Sequence, residues 1–165
     1  MILYRSIREN VSIPVLSRIL RFLFIDRKAE SELANEAIDK YSIKTSGIEK
    51  VVVELSGGNQ QKVILGRWTN KKMTTKILIL DEPTKGIDVG TKAEVYQMIC
   101  DFAKQGIGVI FISSELTEVI GVSDRIYVIR GGCVTGCVAR ADANEEGILS
   151  LAMSGAASTG GGAAL

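Results

Sequence analysis

The stretch Ile77-Leu78-Ile79-Leu80-Asp81-Glu82-Pro83-Thr84 decides how this 165-residue chain is read. Four branched apolar residues in a row predict a strand buried on both faces, the habit of parallel sheets inside α/β proteins. Pro83 cannot extend that strand. Ligands of open parallel sheets bind beyond the carboxyl ends of the strands, so Asp81 and Glu82 fall on the binding rim. Their chemistry suits a Mg²⁺ ligand at Asp81 and a general base or water-orienting group at Glu82. An ordinary strand that stops at solvent, with acids capping the next turn, fits the same eight residues.

Downstream, Lys85-Gly86-Ile87-Asp88-Val89-Gly90 reads as a glycine-punctuated loop with a single acid. A helix follows with Val95, Ile99, Phe102 and Ala103 facing inward, closed by Gly106. Val109-Ile110-Phe111-Ile112 predicts the next buried strand, ending in Ser113-Ser114-Glu115, and the strand–helix–strand order makes a right-handed βαβ unit. A short helix over about 115–120 leads to a hairpin with strands at 126–130 and 133–139, turned at Gly131-Gly132. Residues 154–165 are almost all Gly, Ala, Ser and Thr and read as a disordered tail.

Upstream lies Leu55-Ser56-Gly57-Gly58-Asn59-Gln60-Gln61-Lys62. Two glycines before a helix with Val63, Ile64 and Trp68 on one side predict a helix start with bare backbone amides, capped by Ser56. Such an end carries N–H donors and about half a positive charge, a ready anion site, and glycine lets a phosphate come close. Ser-Gly-Gly is equally common as plain loop punctuation. Residues 1–50 read as helical. Pro14 opens a segment with Val15, Leu16, Ile19, Leu20 and Leu23 at helical spacing. A second helix over 28–41 has Ala29, Leu33, Ala37, Ile38 and Tyr41 on its apolar face and Asp26 as N-cap. Both helices fit a core role and a docking role alike.

At 46% hydrophobic residues the chain can bury a core of its own. Lysine plus arginine (20) nearly balances aspartate plus glutamate (19), so no bulk field points to a nucleic acid or an acidic membrane. No apolar run reaches the roughly 18 residues of a membrane span, and the first residues lack the pattern of a secretory signal. Three cysteines, an odd number, suit a reducing cytoplasm. Cys133 and Cys137 alone do not make a zinc site. The absence of histidine excludes every mechanism that needs an imidazole from this chain.

These motifs, in this order, resemble an ATP-binding cassette (ABC) ATPase. The signature Leu-Ser-Gly-Gly-Asn-Gln-Gln-Lys precedes Ile-Leu-Ile-Leu-Asp-Glu-Pro-Thr, then Gly-Ile-Asp-Val-Gly, then a strand ending Ile-Ser-Ser-Glu-Leu. The Gln-Gln-Lys, Lys-Gly-Ile-Asp-Val-Gly and Ser-Ser-Glu-Leu elements resemble most the second, carboxyl-terminal cassette of the tandem ATP-binding subunit of bacterial monosaccharide importers of the ribose/xylose/galactose type. The likeness covers roughly residues 4–152.

The resemblance implies the Walker B aspartate that holds Mg²⁺ at Asp81 and the catalytic glutamate at Glu82. It implies the signature motif at Ser56, Gly57, Gly58, Asn59 and Gln60, and the acid of the loop that crosses to a partner cassette at Asp88. Ser114 falls at the place of the switch histidine, where a short hydroxyl offers less reach to a γ-phosphate. The implied cofactors are ATP and Mg²⁺. The implied partners are a second ABC cassette, membrane permease subunits and, indirectly, a periplasmic sugar-binding protein, with no nucleic acid. The implied location is cytoplasmic, peripheral on the inner membrane.

One element of the family is absent. No glycine is followed by lysine anywhere in the sequence, so the Gly-x-x-x-x-Gly-Lys-Ser/Thr loop that wraps phosphates is not among these residues. The expectation is therefore a partial P-loop NTPase fold of the ABC type. It comprises a partial helical subdomain at 1–54, the signature and Walker B core at 55–153, and the tail. Two other readings stand beside it: a non-catalytic module that lends its signature helix to a partner cassette, and a non-transport ABC ATPase of DNA repair or translation. The near-neutral charge argues against the last.

Overall fold

The computed structural model describes residues 1–153, so the tail expected at 154–165 lies outside the described residues. The described residues fall into two compact units, one over 1–110 and the other from 111 onward.

The first unit opens at Ser6. Its hydroxyl accepts from the Glu9 amide (3.2 Å) while the Glu9 carboxylate accepts from the Ser6 amide (3.0 Å), a capping box that starts α1 (Ile7–Ser12). Ile7 and Val11, one turn apart, are fully buried. The long helix expected after Pro14 does not form. Residues Ile13–Arg18 make a 3₁₀ helix with Pro14 in its first turn, and a tight hairpin of β1 (Leu20–Arg21) and β2 (Phe24–Ile25) follows. Pro14 brings no N–H to a longer α-helix. The chain then reverses at Phe22, whose φ is +59°, and the Asp26 amide closes the hairpin on the Ile19 carbonyl (2.8 Å). Leu20 and Leu23, expected to face inward, are exposed as a result.

Asp26 caps α2 (Arg27–Lys40) as expected, accepting from the Ala29 amide (3.0 Å). The helix buries Leu33, Ala34 and Ala37. Glu30, also on that buried side, is satisfied by Ser12 Oγ (2.7 Å), Arg27 (3.0 Å) and Arg8. A buried carboxylate with this many donors holds α1 to α2 without an orphaned charge.

A 3₁₀ helix (Val52–Glu54) then leads to α3 (Gly57–Trp68), β3 (Ile77–Asp81) and α4 (Val89–Lys104) of the same unit. Val95, Met98, Ile99 and Phe102 form the buried stripe of α4. Ala103, expected inside, is exposed, because it sits one step round the helix from that stripe. Trp68 of α3 is likewise 40% exposed, and Lys62, Leu65 and Gly66 join Val63 on the buried side. Tyr41 packs edge-on to Phe102 (centroids 6.1 Å apart), and Gly66 lets it approach α3: a Cβ there would lie 3.0 Å from the Tyr41 ring.

The decisive strand is buried on one face only. Leu78 and Leu80 are inside, whereas Ile77 and Ile79 are 64% and 63% exposed. This corrects the two-faced burial expected from the apolar run. Side chains alternate across a strand, and among the described residues only one face of β3 is covered. Its neighbour is β4 (Gly108–Ile112), joined to it where the Gly108 amide donates to the Lys76 carbonyl (2.8 Å). β4 alternates between exposed and half-buried rather than running as a fully buried strand.

In the second unit α5 (Leu116–Val122) leads to the hairpin of β5 (Arg125–Arg130) and β6 (Cys133–Ala139). Gly131 and Gly132 both have positive φ (56° and 79°), the primed geometry that lets Arg130 face Cys133 across a two-residue turn. A register irregularity falls between Val128 and Ile129. The unanticipated α6 (Glu145–Met153) lays Ile148 against Ile126 and Val128. Gly136 makes room for it, since a Cβ there would lie 2.7 Å from Leu151 Cδ1. No helix of the described residues is long and apolar enough to cross a membrane.

Candidate functional site

β3 ends at Asp81, which is exposed, as the sequence placed it. Glu82 follows with φ +45°, a left-handed conformation that costs a non-glycine residue on the order of 1 kcal/mol or more. The next turn is bound by Lys85 N–H to the Glu82 carbonyl and by Ile87 N–H to the Thr84 carbonyl (both 3.2 Å), with Pro83 and Thr84 buried beneath. The chain thus leaves the sheet abruptly, and the two acids occupy the corner.

The signature segment forms the start of α3. Ser56 stands at the N-cap, but its side chain makes no capping bond to the helix, against the sequence expectation. Its Oγ instead accepts from Asn59 Nδ2 (2.9 Å), and Asn59 Oδ1 accepts from the Lys44 amide (2.8 Å). Gln60 Nε2 turns back to the Leu55 carbonyl (3.0 Å). The polar side chains of the motif therefore brace the loop rather than the helix end. What the end offers to a ligand is backbone: the amides at the start of α3 without a side-chain cap, an arrangement suited to an anion.

The two glycines differ. A Cβ on Gly57 would meet only the Gly86 carbonyl oxygen, at 3.6 Å, and Gly57 is exposed. A Cβ on Gly58 would lie 2.1 Å from Thr91 Cγ2 and 2.9 Å from Thr91 Cβ. Gly58 is glycine because another side chain fills its space; Gly57 is open to an approaching group.

Asp88 is the N-cap of α4. It accepts from the Thr91 amide (3.0 Å) and the Thr91 hydroxyl (2.8 Å). These two bonds, the hydroxyl first, hold its carboxyl below the usual carboxylate range. The structure thus brings Ser56, Gly57, Gly58 and Asp88 to one neighbourhood through the 86–91 segment. Thr91 was missed in the sequence; its signal is the Asp-x-x-Thr spacing of a helix cap.

Ser113 and Ser114 belong to the second unit. Ser113 Oγ donates to Glu118 Oε2 (2.9 Å) and accepts from the Glu115 amide (3.1 Å), while Ser114 is exposed. Glu118, 5% exposed, is a buried carboxylate that the sequence reading passed over.

Among the described residues no three His, Cys, Asp or Glu side chains cluster as a ready-made metal cage. A lone exposed carboxylate such as Asp81 fits Mg²⁺, which is bound through one or two carboxylates together with waters and substrate phosphates.

Solved structures similar to this fold include an inward-facing ABC transporter of the metal-chelate type, with TM-score 0.75 and 19% identity over 90% of this chain and 58% of that one. Another is a post-hydrolysis dimer of an ATP-binding cassette bound to ADP and phosphate, with TM-score 0.69 and 21% identity over 85% of this chain and 59% of that one. The architecture is that of an ABC-type P-loop NTPase, present in part.

Sequence relatives narrow the class. An arabinose import ATP-binding protein of Pectobacterium atrosepticum is 50% identical over 149 residues, 90% of this chain. A ribose import ATP-binding protein of Mesorhizobium japonicum is 45% identical over 161 residues, 98% of this chain. No protein-family profile matches. Over 90% and 98% of its own length the chain is similar to these ATP-binding proteins of sugar import. It spans 29% and 31% of the length of these two relatives.

Proposed function

We propose that these residues supply one part of an ATP-hydrolysing cassette in a monosaccharide importer, with the phosphate loop lying outside them. In this reading Ser56 and the amides of Gly57 and Gly58 clamp the γ-phosphate of ATP held by a partner cassette. Asn59 and Gln60 keep the clamp in shape. Asp81 would hold Mg²⁺, which supplies charge neutralisation at the phosphates. Glu82 orients the attacking water and accepts its proton in the cassette to which this chain belongs. Ser114 adds a hydroxyl where a longer donor would reach further, so turnover is slow. Asp88 stands in the loop that meets the partner cassette.

Residues 1–54 act as the helical lobe in this arrangement and 55–153 as part of the ATPase core. Closure of two cassettes on ATP drives permease subunits between access states, with sugar delivered by a periplasmic binding protein. The assembly sits on the cytoplasmic face of the membrane.

The observation that carries this reading is the uncapped amide start of α3, with an exposed Gly57, set beside the loop that follows the Asp81–Glu82 corner. Titration of the purified chain with Mg²⁺ and ATP tests it. Weak binding and negligible turnover are expected without a phosphate loop; submicromolar binding or steady turnover by the chain alone would refute the division of labour.

A further inference from the structure

Thr91 touches both candidate nucleotide elements of the first unit with different atoms. Its hydroxyl and its amide donate to the Asp88 carboxylate at 2.8 Å and 3.0 Å. Its Cγ2 occupies the volume that Gly58 leaves empty, 2.1 Å from where a Cβ would stand. Neither contact is replaceable by the other: a hydroxyl alone does not fill the Gly58 space, and a methyl alone does not bond a carboxylate. Gly57, the adjacent residue, approaches the same segment at the Gly86 carbonyl.

We infer that Thr91 is a positioning residue that ties the signature glycines to Asp88, so that a displacement of the α3 start on a phosphate is passed to the Asp88 loop. The inference rests on the functional reading above, which assigns the two elements to the two sides of a nucleotide interface. Within one chain, Thr91 makes the clamp and the loop move as a unit. A packed methyl on one side and a paired hydrogen bond on the other leave little slack. The bonds that hold the Asp88 carboxyl below its ordinary value are the same bonds that transmit the displacement.

Two arms test it. In the full chain without nucleotide, the amide resonances of Gly57 and Gly58 are recorded by NMR with and without Asp88→Asn. The response of Gly58 to that change should be clear in the parent. It should be weakened in Thr91→Val, which keeps a methyl and the amide bond but drops the hydroxyl, and in Thr91→Ser, which keeps the hydroxyl and drops the methyl. Thermal melts of both variants separate loss of coupling from loss of fold, and Thr91→Ser, the milder change, stands in if Thr91→Val unfolds. A Gly58 amide indifferent to Asp88→Asn in the parent, or equally responsive in Thr91→Val, would overturn the inference.

In the second arm the chain is assembled with a phosphate-loop-bearing cassette and ATP turnover is followed. Both Thr91 variants should lower kcat by about tenfold, with KM for ATP held within about twofold, the pattern of a group that acts in the transition state. Equal kcat in parent and Thr91→Val would count against it. An assembly inactive even with the parent chain would overturn the functional reading instead, while the nucleotide-free arm still decides the linkage.

Discussion

Lys62 pairs with the carboxylate of Glu94 although only 3% of the Lys62 side chain is exposed, against 50% for Glu94. Its Nζ also donates to the Ser42 carbonyl (3.1 Å) at the end of α2, where Ser42 itself has a φ of +48°. One ammonium thus binds α2, α3 and α4 behind the signature segment. Lysine is rarely buried without a partner, and here the partner comes from the helix that Asp88 begins.

The asymmetry of this pair fixes an order of mutational costs. Lys62→Met keeps the volume and leaves Glu94 free to hydrate, so its expected cost is about 1–2 kcal/mol, mostly the lost bond to Ser42. Glu94→Gln strands a nearly buried charge on neutral acceptors and should cost more, about 2–3 kcal/mol. Urea denaturation of the two variants checks the ranking; Lys62→Met as the more damaging change would contradict it.

The two signature glycines should separate stability from function. Gly58→Ala forces a Cβ into Thr91 and should destabilise by about 1–3 kcal/mol, as overpacked interiors do. Gly57→Ala meets nothing nearer than 3.6 Å and should leave the melting temperature within about 2 °C. It should nonetheless lower turnover in an assembled cassette. Equal melting shifts for the two substitutions would refute the distinction.

Acid should loosen the packing around α1. Glu9 is held below the ordinary carboxylate value chiefly by the Ser6 amide, and then by Arg5; Glu49 is held below it by the hydrogen bond from Arg8. Arg8 is correspondingly raised by Glu49 and Glu30. Lowered folded-state values mean that this stability is complete above the unfolded carboxylate value, about 4.3, and fades as pH falls through the folded values. Urea midpoints measured from pH 6 downward should therefore drop below about pH 4.5. In the Glu9→Gln, Glu49→Gln double variant that drop should be shallower. An unchanged slope would exclude these two carboxylates as the cause.

The second unit depends on its turn. Gly131 and Gly132 both sit at positive φ, so Gly132→Ala should lower the stability of the hairpin by about 1 kcal/mol, whereas Gly131→Asn should be tolerated. Amide hydrogen exchange along β5 and β6 reports the difference.

What was legible in the sequence was local. Asp26 as a cap, the two-residue turn at Gly131-Gly132 and the strand that stops at Asp81 each depend on a few neighbouring residues, and each is found where expected. The misreadings required knowledge of distant partners. The apolar run of β3 could not say which of its faces the described residues cover, and Ile77 and Ile79 remain outside. Periodic apolar residues after Pro14 promised a helix, yet the hydrogen bond from Asp26 to Ile19 turned them into a hairpin. At the site, Ser56 was read as a helix cap because its spacing allows it, whereas Asn59 claims its hydroxyl. Lys62 lies within the quoted signature, but its burial depends on Glu94, 32 positions away.

ATP turnover by a chimera decides whether these residues serve an ATPase site. In the chimera this chain takes the place of the 149 matching residues of the Pectobacterium atrosepticum relative, an arabinose import ATP-binding protein. The expected result is Mg²⁺-dependent ATP hydrolysis that falls by roughly a hundredfold when Glu82→Gln and Gly57→Asp are introduced together, the scale of losing an oriented water and a phosphate contact. Hydrolysis undiminished by that double substitution would contradict the central claim.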